Sequence, residues 1–192
     1  MKKFIKTFTA VSLLASASFL SNAALVLNIT DEGMGQTRFE FSGSTIAASQ
    51  TGGNGIWPSF DSNTGPVNTS LGCVSIASGS GTMMSTSLGT VNVDDACIFD
   101  DGSNDYVTPR TFAGFSWNTG DTLSWSGNIV YNAVFSSFAP GSYSSVNSIY
   151  GDNMFTDAVI VNVGPQVDVS APTMIGLLGL ALAGLGARRL KR

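Results

Sequence analysis

Gly120-Asp121-Thr122-Leu123-Ser124-Trp125-Ser126, leading into residues 129–134, is the stretch whose reading decides the fold. A Gly-Asp turn opens it, and Leu123 and Trp125 then alternate with Ser124 and Ser126. Successive side chains of a strand point to opposite faces, so this period of two puts the apolar residues inward and the serines in water. The same period recurs outward in both directions. Upstream, Leu25, Leu27 and Ile29 share one face of a first strand, Phe39 and Phe41 alternate with Arg38 and Glu40, and Val91 and Val93 flank Asn92. Downstream, Val159, Val161 and Val163 close the series before Gly164-Pro165. Gly52-Gly53-Asn54-Gly55, Asn63-Thr64-Gly65-Pro66 and Ala139-Pro140-Gly141 read as turns or loops between the strands. Short strands at this spacing predict an all-β fold, a single β-sandwich or jelly-roll-like domain over residues 24–163. No internal repeat stands out.

The two ends of the chain have a different character. Lys2, Lys3 and Lys6 precede an apolar stretch over residues 10–20, and Ser21-Asn22-Ala23 supplies small residues at −3 and −1. That is the pattern of a secretory signal peptide over residues 1–23, with cleavage between Ala23 and Ala24. At the other end, residues 164–172 read as a linker and short motif. Residues 173–192 follow as an apolar run without charge that ends in Arg188, Arg189, Lys191 and Arg192. A helix over residues 174–187 would be roughly 21 Å long at 1.5 Å per residue, at the low end for crossing a bilayer. Its basic end would stay cytoplasmic and leave everything upstream outside. Glycines 176, 179, 184 and 186 would allow close approach by a partner helix.

The order of the tail is a Pro-containing motif, then Ile-Gly-Leu-Leu-Gly-Leu-Ala-Leu-Ala-Gly-Leu-Gly, then Arg-Arg. Over residues 169–192 it resembles the PEP-CTERM family of bacterial sorting signals. Val169-Ser170-Ala171-Pro172 stands where that family carries Pro-Glu-Pro, so the motif is a variant. The resemblance implies an inner-membrane-anchored intermediate and a membrane sorting enzyme of the exosortase type that cleaves near the motif. It further implies release to the cell surface or to an extracellular polysaccharide matrix.

Without its ends the chain changes composition. Only Arg38 and Arg110 remain as bases against thirteen acids, a net charge of −11. Such a surface repels nucleic acid and anionic lipid, which excludes nucleic-acid binding, and it attracts divalent cations. Cys73 and Cys97 are the only cysteines, and in an oxidising compartment they should pair. Closing that loop would contribute roughly 3.5 kcal/mol in the chain-entropy model.

The chemistry is sparse. The chain has no histidine, which removes Ser-His-Asp, Cys-His and histidine-based zinc arrangements. It has no Gly-x-Ser-x-Gly elbow and no phosphate-binding glycine loop leading into a helix. Glycoside hydrolysis needs only two opposed carboxylates, but the thirteen acids single out no pair. The expectation is a protein that is not an enzyme. The densest polar cluster, residues 94–105, offers Asp100, Asp101, Asn104 and Asp105 as oxygen ligands for Ca²⁺. It departs from the EF-hand pattern, because Cys97 stands where the first aspartate belongs. The competing reading is a solvated acidic loop held by side-chain-to-backbone bonds. The aromatic residues Trp57, Trp117, Trp125, Tyr131, Tyr143 and Tyr150 could supply a sugar-stacking platform. Trp57, in a Gly/Asn/Pro-rich loop, reads either as an exposed stacking ring or as the anchor of that loop. Trp117 and Trp125 read as core.

Overall fold

The computed structural model describes residues 24–164. The expected signal helix, sorting motif, transmembrane helix and basic end lie outside those residues.

Twelve strands follow one another along the described chain. They are β1 (Val26–Gly33), β2 (Gln36–Ser42), β3 (Ser44–Ile46), β4 (Thr51–Gly55), β5 (Ser59–Asp61) and β6 (Gly72–Ser85), then β7 (Gly89–Asn92), β8 (Asp95–Asp100), β9 (Asn104–Trp117), β10 (Thr122–Tyr131), β11 (Gly141–Ser145) and β12 (Val159–Val163). A single 3-10 turn, Phe135–Ser137, interrupts them. The described residues hold no α-helix, and the fold is all-β, as the alternation requires.

The strands form one hydrogen-bonded path, β11-β12-β1-β2-β10-β6-β8-β9-β4, with β3 on β10, β5 on β9 and β7 on β6. Pairing is antiparallel except between β1 and β12, which run parallel with Leu27 opposite Val161. The path curls because β6 changes partner along its length. Residues 72–75 pair with β8, and residues 76–85 pair with β10. The register slips between Val130 and Tyr131, opposite that change of partner. A bulge of this kind bends a strand and increases its twist.

Leu25, Leu27, Ile29, Phe39, Leu123, Ile129, Val159 and Val161 are fully buried and belong to one core cluster. The ring of Phe39 meets Tyr131 and Phe138 at centroid distances of 4.9 and 5.8 Å. Phe41 lies across Gly127 and Gly81, which are cross-strand partners; a Cβ at Gly127 would come within 2.5 Å of the ring. Trp117 and Trp125 are core as expected, and each indole satisfies its N–H on a backbone carbonyl, Ser49 at 2.9 Å and Ser42 at 3.0 Å.

One expected turn is a strand. Gly52-Gly53-Asn54-Gly55 runs in β4 along β9. The glycines serve close packing there: a Cβ at Gly53 would overlap the Tyr150 hydroxyl, and one at Gly55 would sit 2.7 Å from the Pro109 carbonyl. Glycine-rich sequence marks close backbone approach as well as turns, and here approach decides.

The curl brings the far side of the path around to its start. Ser59 donates its backbone N–H to Asn147 at 3.1 Å, Ile149 donates to the Trp57 carbonyl at 3.2 Å, and Pro58 bridges Ser148. Beyond Ser59 no ladder joins β5 to β11. The sheet therefore has a seam that closes at one end and opens at the other.

Candidate functional site

The open end of the seam is a cleft of about 480 Å³. Phe60 and Asp61 of β5 and Tyr143, Ser144 and Ser145 of β11 line it, together with Thr64, Ser103 and Asn104. Phe60 and Tyr143 meet edge to face at 6.4 Å. The Tyr143 hydroxyl donates to the Ala139 carbonyl at 2.9 Å, and its proton is held more tightly than usual, by burial first and then by the charge of Asp105. Ser59 donates to Asn104 Oδ1 at 3.1 Å. Hydroxyls, amides and an acid line the cleft, and no basic side chain does. Both arginines of the described residues are engaged elsewhere, Arg38 with Glu32 and Arg110 with Asp95.

The acidic stretch beside the cleft is organised by its own backbone. Asp100 Oδ1 accepts the Gly102 N–H at 2.7 Å. Asp101 Oδ1 accepts the N–H groups of Asn104 at 2.7 Å and Ser103 at 2.9 Å, and its Oδ2 accepts the Tyr106 hydroxyl at 3.0 Å. Those backbone bonds, Asn104 first, hold the Asp101 carboxyl below the usual range. Asp94 accepts the Phe112 N–H at 2.6 Å, and Asp95 takes the Arg110 guanidinium in a two-pronged pair. The four residues expected to ligate Ca²⁺ do not share a centre. Asp100 and Asp101 are turned to their own turn, Asn104 to Ser59, and Asp105 into the protein. Among the described residues the one group of three metal-type side chains within 4.8 Å of one another is Cys73, Asp95 and Cys97. Its two sulfurs are joined in a disulfide. The side-chain-to-backbone turns of a solvated acidic loop describe this stretch better than a preformed cation site does.

Asp105 is the exception within that stretch. Alternation along β9 puts it on the face of Val107, toward the core, and it is fully buried. Its Oδ2 accepts the Val67 N–H at 2.7 Å, and its Oδ1 has no hydrogen-bond partner. Gly65 packs directly on the carboxylate, with no room for a Cβ. Burial, and then the charges of Asp100, Asp101 and Asp61, push its carboxyl up to about 6 against the pull of the Val67 N–H. Cost of this kind is expected of an ionised group withdrawn from water without a counter-charge.

Cys73 and Cys97 are paired, as the sequence predicts, and stand directly opposite each other on β6 and β8. Trp57 takes the second of its two readings. It is only 7% exposed, its indole N–H donates to Asn54 Oδ1 at 2.9 Å, and its ring stacks on Phe99 at 6.3 Å. It anchors its loop, and neither ring face is free for a sugar. The composition of the loop suggested exposure, but the ring is covered by a partner on β8, distant in sequence. Tyr143 is among the candidate stacking rings and Thr64 lies in an expected turn, but Ser59, Phe60 and Asp61, and the meeting of all five, escape the sequence reading. Two stretches far apart in sequence carry them, residues 59–64 and β11, and the Asn63–Pro66 turn is the one local signal among them. Compared with protein-family models, with curated proteins and with solved structures, the chain matches none.

Proposed function

We propose that this chain is an exported, non-catalytic protein of the cell surface or extracellular matrix. On this reading residues 1–23 direct secretion, residues 173–192 hold an inner-membrane intermediate, and a sorting enzyme of the exosortase type cuts near Val169–Pro172. The observation that carries the reading is the order of the tail: Pro-containing motif, uncharged apolar run, four bases. The Cys73–Cys97 disulfide supports it, because such bonds persist in oxidising compartments. We read the curled sheet as a β-sandwich or jelly-roll-like domain with one shared strand, β6, passing between its two layers. Replacing Arg188, Arg189, Lys191 and Arg192 together by alanine tests the tail in the native host. The expected result is loss of the membrane-held intermediate; unchanged fractionation and processing would count against sorting.

A second reading, a surface binding module, is favoured by the seam cleft. Hydroxyl and amide groups beside a Phe60–Tyr143 pair suit a neutral, hydroxyl-rich ligand such as a saccharide, and the lack of bases disfavours an anionic one. Calorimetry with neutral oligosaccharides, with and without Ca²⁺, tests this. Binding that Tyr143→Ala abolishes would support it, and binding indifferent to that change would place the ligand elsewhere.

A further inference from the structure

Asp105 is unusual in the described residues for what surrounds it. Phe60 stands opposite it on β5 and Asp100 opposite it on β8. The segment 61–67 folds over its carboxylate through Gly65 and is tied to it by the Val67 N–H. The same segment supplies Asp61 and Thr64 to the cleft. The titratable groups that act on the site are Asp61 from β5, Asp100 and Asp101 from the end of β8 and its turn, and Tyr143 from β11. None of them is a base.

We propose that Asp105 is a protonation latch for the cleft wall. With its carboxyl neutral, it holds residues 61–67 down through the Val67 N–H. Ionisation places a buried charge under that segment, facing three other carboxylates, and loosens it. This adds regulation to the cleft of the second reading above, although the latch itself requires no ligand.

Two effects oppose each other. The Val67 N–H bond favours the ionised form, since charge strengthens a hydrogen bond. Burial and the neighbouring acids favour the neutral form, and they prevail: the carboxyl stands at about 6, above its ordinary 3.8. The neutral form is therefore the one the fold prefers. The stabilising contribution is complete below pH 3.8, declines as pH rises, and is gone above about 6. Near neutral pH the segment is held against an uncompensated charge.

Hydrogen exchange at the Val67 amide, corrected for the intrinsic rise of exchange with pH, reads the latch in the folded protein. Wild type should lose protection between about pH 4 and about pH 7, by at most on the order of a hundredfold. Asp105→Asn is neutral at every pH and keeps the acceptor for Val67, so its profile should be flat and its protection at neutral pH higher than wild type. Equal slopes in the two proteins, or a Val67 amide unprotected at all pH in the folded variant, would overturn the proposal. Should that variant not fold, Asp61→Asn removes one neighbouring charge and should move the wild-type midpoint to lower pH; an unmoved midpoint would also overturn it. Millimolar Ca²⁺ should leave the wild-type profile unchanged, whereas a profile flattened by Ca²⁺ would make Asp105 a cation ligand and end the latch. The saccharide titration reads the cleft separately, so failure of one reading is distinguishable from failure of the other.

Discussion

The outer face of the sheet and the seam handle polar groups in opposite ways. Across the outer face Ser142, Asn162, Asn28, Glu40, Asn128 and Ser80 stand in register on six neighbouring strands. Neighbours in that row bond to one another: Ser142 donates to Asn162 at 2.7 Å, Asn162 to Asn28 at 2.9 Å, and Asn128 to Glu40 at 3.1 Å. At the seam Asp105 turns inward, with one oxygen bonded and the other alone. The first arrangement follows from strict alternation, which delivers small polar residues to one side of every strand. The second departs from the apolar-in, polar-out pattern, because alternation along β9 carries an acid onto a core face. Real sequences depart from local consistency at a few positions, and those positions are where function or regulation is best sought.

The comparison can be broken at four points, taken here from the largest expected effect to the smallest. Phe39→Ala removes a fully buried ring from the well-paired side and should cost about 3–5 kcal/mol in denaturant unfolding. A cost under about 1 kcal/mol would mean the core does not centre there. Replacing Cys73 and Cys97 together by alanine should cost about 3.5 kcal/mol by chain entropy, measured against the oxidised wild type. The pH dependence of the seam comes next: in thermal melts Asp105→Asn should gain on wild type as pH rises through about 6. Asn162→Ala breaks two bonds near one end of the polar row yet leaves its partners near water, so the loss should be roughly 1 kcal/mol or less. A larger loss would make the row a structural spine and not a solvated face.

Legibility in the sequence divides along the same line. Leu27, Phe39, Trp125 and Val161 were readable because a period of two ties each residue's face to its immediate neighbours. The disulfide was readable by count, since two cysteines in an oxidising setting have one way to pair. The cleft was not readable, because its walls come from β5, the turn after β8 and β11, and no local pattern reports that a curling sheet will bring those together. Asp105 stood inside the acidic stretch, where composition suggests solvent for every member. Its inward direction depends on the register of β9 against β5 and β8. The exposed reading of Trp57 and the turn reading of the Gly52–Gly55 run failed in the same way, while the anchor reading of Trp57 held: loop-like composition concealed tertiary partners, Phe99 for the one and Tyr150 with Pro109 for the other.

Export followed by trimming is the central claim, and the intact mass and C-terminal sequence of the protein recovered from its own cells test it most directly. A species that begins at Ala24 and ends near Val169–Pro172, found outside the inner membrane, is the predicted result. An intact Arg192 in the membrane fraction would contradict it and make this a simply anchored protein.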